Sequence, residues 1–194
     1  SFDMPIYTTH SIATGTLNLL EAIRIMCPLA RVYQASSSEM FGNNIDEDGY
    51  QRETTPMTPV SPYGCAKVYG YNISRNYRNA YNMHISNGIL FNHESPRRGN
   101  NFVTNKVCKE AVRIKLGLTN KLKLGNMDAS RDWGHWRKHV GTDAKFLRPE
   151  ELSHLKGDCS KAVNKLGWEQ VYTFETMLNE MIDHWLVELK GNKQ

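Results

Sequence analysis

The stretch "ARVYQAS" (residues 30–36) decides how the chain is read. It is short and rich in β-forming residues, and a different kind of segment lies on each side of it. Upstream, Ile12, Leu19, Leu20, Ile23 and Met26 recur at helical spacing, so residues 12–26 are predicted to form a helix that Pro28 ends. Downstream, residues 37–62 are polar, with Gly, Asn, Asp and three prolines, and read as a long loop of the kind that is functional or disordered. A second helix is predicted over 62–81, and "HISNGILF" (84–91) reads as another strand. The order helix, strand, loop, helix, strand describes a parallel sheet covered by helices. Residues 30–36 are therefore expected as a buried strand.

Beyond Phe91 the character changes. A charged loop (92–101) leads to a helix (102–116), a short strand "KLKL" (121–124) and an irregular stretch. Two helices follow, over 158–166 and 173–190. Asp158 and Thr173 are expected as their N-caps, and Glu175 suits a first helical turn.

Bulk properties narrow the class. The 194 residues suffice for one sizeable domain or two small ones. With 40% hydrophobic and 23% charged residues, the chain reads as an ordinary soluble globular protein. No apolar run approaches the roughly 20 residues that span a bilayer, and no charged-then-apolar leader is visible. The net charge of +4 is spread along the chain rather than striped, which argues against nucleic acid as a partner. Cys27, Cys65, Cys108 and Cys159 are far apart with no C-x-x-C, so a reduced, cytoplasmic setting is expected.

Three segments carry chemistry. In "SPYGCAKVYG" (61–70), Tyr63 and Lys67 stand at i and i+4 on one helical face. A phenol near pKa 10 is a poor base at neutral pH. An ammonium about 4 Å away is worth roughly 4 kcal/mol at an effective dielectric of 20, enough to make it a useful one. The same spacing also describes a surface lysine over a half-buried tyrosine. "QASSSEMFG" (34–42) follows the first strand, where open α/β sheets bind ligands. It offers Ser36, Ser37, Ser38 and the Glu39 carboxylate, and reads equally as a serine-rich turn. "LFNHESPRRGNNFVT" (90–104) follows the second strand and gathers Asn92, His93, Glu94, Arg97 and Arg98. That set suits a phosphorylated ligand or a solvated charged loop.

Their co-occurrence at successive strand ends resembles the extended short-chain dehydrogenase/reductase family. Within it, "YQASSSEMFG", "ETTPMTPVSPYGCAK", "NGILFNHESPRRG", "LGNMDASRDWGH", "KGDCSKAVNKLGW" and "SFDMPIYTTHSIATGTLNLLEAIR" are similar to the GDP-mannose 4,6-dehydratases. The resemblance implies an α/β fold: a Rossmann-like parallel sheet, incomplete here, over residues 1–91. A smaller C-terminal substrate-binding domain would occupy 92–194, interleaved with the first. It implies a dehydratase that uses NADP and converts GDP-D-mannose to GDP-4-keto-6-deoxy-D-mannose, toward GDP-fucose and other deoxysugars. Ser37, Glu39, Tyr63 and Lys67 would be catalytic. Tyr7, Lys67, His93 and Arg98 would contact the cofactor. Asn92, Arg131, Arg148 and Glu151 would contact the GDP-sugar. No metal is implied, and a homodimer or homotetramer is, with the predicted helices as contact surfaces.

The resemblance breaks at two places. The family's strand–G-x-x-G-x-x-G–helix is not found, so Ser1 is expected to fall inside the nucleotide domain, with one edge and face of the sheet exposed. After "RDWGH" the family continues with further residues, whereas here Trp136 follows directly. Asn105 stands where a basic residue is common, and Ile12 where a polar one is. An inactive interaction protein built on this fold is the alternative reading. A metal site at His135 and His139 lacks the intervening glutamate of H-E-x-x-H and a third ligand.

Overall fold

A computed structural model describes residues 1–124, 140–142, 149–150 and 152–191. The chain divides into two compact units, one of Ser1–Asn92 with Arg148–Asp158, the other of His93–Leu147 with Cys159–Gln194.

In the first unit the helical run begins earlier than apolar spacing predicts. Pro5 opens α1 (Pro5–Thr9), a π-helical turn follows over His10–Thr14, and α2 (Gly15–Met26) completes the run. Proline is well suited to a first helical position because its missing N–H would have had no partner there. The early turns carry exposed Ile6 and Tyr7 and so show no apolar period. Within α2 only Leu20 is fully buried, while Leu19 and Met26 are 58% and 76% exposed. Leu20 packs with Tyr77, Met83 and Ile85, and Leu17, Ile23, Val32 and Ile73 surround them.

Strands β1 (Val32–Ser37) and β2 (Ile85–Leu90) pair in parallel, Val32 opposite Ile85 through Ser37 opposite Leu90. The expectation of a buried strand at 30–36 is corrected. Tyr33 is 61% exposed and Ala35 is exposed as well; only the serines at the carboxyl end are buried. Among the described residues this sheet has two strands, β1 and β2. Tyr33 lies across Gly88 of β2, leaving no room there for a β-carbon.

Helix α3 (Pro62–Tyr81) joins the strands. Ser61 caps it, Pro62 takes the first turn, and Asn82 ends it in the left-handed region at φ 53°. Its buried residues are mostly small: Gly64, Ala66, Gly70 and Ser74, with Tyr77 beyond. A β-carbon on Gly70 would sit 3.1 Å from the Gln34 amide of β1, so the small residues set how closely helix and strand approach. Tyr77 donates a short hydrogen bond to Glu21, which Arg24 grips at 2.9 and 3.0 Å, joining α3 to α2. The Arg24 contact, then the Tyr77 one, holds the Glu21 carboxyl down at about 2.

The polar stretch that precedes α3 is tied together by ion pairs. Arg52 reaches three carboxylates, Asp46 at 2.9 Å, Asp48 at 2.6 Å and Asp158 at 2.7 Å. Beside it Gln51 N donates to Lys156 O at 2.7 Å and Asp158 N donates to Gln51 O at 3.1 Å. This overturns Asp158 as a helix cap. Its carboxylate is taken by Arg52, and Cys159 precedes α5 (Ser160–Leu166) with no side-chain cap bond.

In the second unit, α4 (Val103–Lys115) packs on α6 (Phe174–Gly191), and β3 (Leu122–Leu124) pairs in parallel with β4 (Val140–Thr142). Thr173 caps α6 as expected: its hydroxyl accepts from Thr176 N at 3.2 Å, and Glu175 lies in the first turn. Asn105 is buried, with its amide donating to Arg98 O and its carbonyl accepting from Trp185 Nε1 at 2.6 Å. The asparagine noted as a departure is thus a hydrogen-bonded node between α4, α6 and the loop before them. No helix among the described residues is long and apolar enough to cross a membrane.

Candidate active site

The carboxyl end of β1 runs into a 3₁₀ turn, Ser38–Phe41. The three consecutive serines separate by position. Ser36 lies beside the Asn87 side chain of β2, with its Oγ 3.4 Å from Asn87 Oδ1. Ser37 caps the turn, its Oγ accepting from Glu39 N at 3.2 Å. Ser38 is buried.

Glu39 is fixed from both ends. Ser37 holds its backbone, and Ser61 donates its hydroxyl to Glu39 Oε2 at 3.2 Å. Sequence reasoning missed Ser61 as a partner of the site, although Ser-Pro ahead of a helical run signals an N-cap. Gly64 completes the fit. A β-carbon there would sit 2.8 Å from the Glu39 carbonyl and 2.9 Å from Pro59 Cβ, so the turn carrying Glu39 lies directly against the first turn of α3. Alanine gains up to about 1 kcal/mol of helix propensity over glycine. Overpacking against a backbone carbonyl costs about 1–3 kcal/mol and wins. Gly64→Ala is therefore expected to lower stability, read as an earlier urea midpoint with an unchanged slope.

Tyr63 and Lys67 occupy successive turns of α3, both partly buried. The Lys67 ammonium is 5.6 Å from the centre of the Tyr63 ring and donates to Ala35 O of β1 at 2.9 Å. Burial pushes the pKa of this ammonium down. The strand end, the acidic turn and the first two turns of α3 are thus joined by Ser37, Ser61 and Lys67. Ser61, which holds Glu39, stands two residues before Tyr63 in the chain.

The other expected site residues are placed differently. Tyr7 is on α1 and 65% exposed. Asn92 and His93 are exposed just beyond β2, and the boundary between the two units falls between them. Arg98 lies in the second unit. Its Nε is 3.3 Å from the Glu94 carboxylate, a charge contact without hydrogen-bond alignment, and its guanidinium stacks 3.4 Å over Phe102. Arg131, Arg148, Glu151, His135 and His139 lie outside the described residues.

A parallel strand pair with a hydroxyl, a carboxylate and a Tyr-x-x-x-Lys helix at its carboxyl end defines a Rossmann-type protein of the extended short-chain dehydrogenase/reductase class. Solved structures share the fold. RMD from Pseudomonas aeruginosa complexed with NADPH superposes with a TM-score of 0.82 at 19% identity, over 95% of this chain and 76% of that one. A dTDP-glucose 4,6-dehydratase from Bacillus anthracis in complex with NAD gives 0.74 at 21% identity, over 95% and 70%. The chain belongs to the GDP-mannose 4,6 dehydratase family, whose family model matches residues 1–142 and 136–181.

Curated relatives are GDP-mannose 4,6 dehydratase 1 of Arabidopsis thaliana, at 40% identity over all of this chain and 66% of the relative, and the Homo sapiens enzyme, at 38% over 97% and 67%. The chain thus spans about two thirds of the length of these relatives. The Arabidopsis alignment runs over 241 positions against 194 residues here, so the relative carries stretches with no counterpart. The two matched runs meet at 136–142, beside the junction read between His135 and Trp136.

Proposed function

We propose that the protein acts as a GDP-mannose 4,6-dehydratase, converting GDP-D-mannose to GDP-4-keto-6-deoxy-D-mannose and water. The observation that carries this reading is the Ser61 bridge. It ties the Glu39 carboxylate to the helix that bears Tyr63 and Lys67. A reductase needs only the hydroxyl, phenol and ammonium, whereas a carboxylate beside them supplies what an elimination needs.

The residues divide the work. Tyr63 takes the proton of the sugar 4-hydroxyl, and Lys67 supplies positive charge for the phenolate and a donor for the nicotinamide ribose. Ser37 donates a hydrogen bond to the 4-oxygen. With a ketone at C4 the C5 hydrogen is acidic. Glu39 removes it, then passes the proton to the C6 oxygen as the C6–O bond breaks and water leaves. Tyr63 releases its proton to solvent, and a solvent-derived proton restores C5 as C6 is reduced.

The donor set suits NADP. Lys67 offers an ammonium at the strand end, and Tyr7, His93 and Arg98 offer a phenol, an imidazole and a guanidinium for phosphate and ribose oxygens. When bound, NADP would supply the hydride acceptor for oxidation at C4 and the donor for reduction at C6, so none would be consumed. Asn92, Arg131, Arg148 and Glu151 are assigned to GDP-mannose, the arginines to its diphosphate and the carboxylate to a ribose. Exposed Leu19, Ile25 and Met26 on α2, with Tyr69 and Tyr81 on α3, support a homodimer or homotetramer built through these helices. A cytoplasmic location fits the four free cysteines.

Incubation with GDP-mannose and NADP is expected to give a nucleotide sugar that has lost one water and gained a carbonyl, read by mass spectrometry. Absence of that product, together with no NADP binding at about millimolar cofactor, a concentration at which even weak sites fill, would favour the inactive interaction protein.

A further inference from the structure

Ser61 performs two tasks with one hydroxyl. Its Oγ accepts from Gly64 N at 2.9 Å, which caps α3, and its hydrogen goes to Glu39 Oε2 at 3.2 Å. A hydroxyl has one hydrogen and two lone pairs, so neither bond excludes the other. The backbone at Ser61 is extended, φ −145° and ψ 153°, which is the geometry of an N-cap. The residue is only 8% exposed, so few waters compete for the hydroxyl. Capping therefore orients the rotor. With a lone pair committed to Gly64 N, the hydrogen is left for the carboxylate.

The cap function needs an acceptor alone, and the donated hydrogen is what it does not require. Glu39 has to reach one carbon and then one oxygen on the same hexose. Catalytic groups are effective when held within about 0.5 Å of the productive geometry by packed, hydrogen-bonded neighbours. Ser37 bonds the Glu39 backbone N–H, whereas Ser61 bonds the carboxylate itself. We propose that Ser61 is a positioning residue for the elimination step, its helix-capping hydroxyl aiming the Glu39 carboxylate at the C5–C6 bond. This rests on the dehydratase reading above.

Two variants separate the cap from the aim. Ser61→Gly removes the hydroxyl at a position where glycine is tolerated nearly as well as serine, and Ser61→Thr keeps a hydroxyl. Three quantities are read on each: cofactor reduction by GDP-mannose, uptake of solvent deuterium at C5 in D2O, and the thermal midpoint. In Ser61→Gly, C5 uptake is expected to slow about tenfold, the loss of one charge-assisted hydrogen bond. Cofactor reduction and the midpoint should stay near those of the parent, and Ser61→Thr should restore the uptake. Equal slowing of both steps would make Ser61 a cap only and overturn the proposal, as would unchanged uptake in Ser61→Gly. If the unsubstituted protein reduces cofactor but takes up no deuterium at C5, the dehydratase reading falls first and this proposal falls with it.

Discussion

Tyr63→Phe is expected to lose about a hundred- to ten-thousandfold in turnover of GDP-mannose, the range for removing a general base. The thermal midpoint should change little. The ring lies in the first turn of α3, after the Ser61 cap and Pro62, and phenylalanine keeps that helix start and the face turned toward Lys67. Only the O–H is lost, and with it the group proposed to take the proton from the 4-hydroxyl. Lys67 cannot substitute. Its ammonium is bonded to Ala35 O, and although burial lowers its pKa it remains a donor there. The defect therefore falls on the first chemical step, so both cofactor reduction and C5 deuterium uptake should disappear together, with NADP binding retained. Turnover within tenfold of the parent would remove Tyr63 from the role of base.

The parts of this arrangement that could be read from the chain are those whose signals are local. Ser61–Pro62 and the helical run behind them give α3 its bounds, and Tyr63 and Lys67 share a face because four residues make just over one turn. Thr173 and Thr176 cap α6 within one turn of each other, so that end was readable as well. What escaped depends on residues distant in sequence. Asp158 looks like a helix cap until Arg52, 106 residues away, takes its carboxylate. Ser61 carries no assigned role until Glu39, 22 residues earlier, is folded against it. The strand at 30–36 looks buried because it is short and carries β-forming residues such as Val32 and Tyr33. Burial depends on what packs over the sheet rather than on strand propensity, and Tyr33 and Ala35 are exposed. Asn105 reads as a lost charge, yet it bonds both Arg98 O and Trp185. For Asp158 and Asn105, a partner distant in sequence changed the meaning of a residue already noticed.

Glu39→Gln should split the reaction where Tyr63→Phe stops it. Glutamine has almost the shape of glutamate, and its amide oxygen still accepts from Ser61, so the 3₁₀ turn and the close fit at Gly64 persist. Its nitrogen has no basicity. Oxidation at C4, which the proposed scheme assigns to Tyr63, Lys67 and Ser37, should proceed, whereas removal of the C5 hydrogen and protonation of the departing oxygen should not. Loss of both roles at one residue is expected to slow release of water at least a thousandfold, within the range for acid–base groups. Reduced cofactor and a 4-keto sugar that retains its C6 hydroxyl should then accumulate, visible as a lasting absorbance of reduced nicotinamide and as a product without loss of water. Two outcomes are informative against the assignment. Near-parental loss of water would place the C5 base elsewhere. Failure to reduce cofactor at all would mean that Glu39 acts before the elimination, in binding or in the oxidation itself.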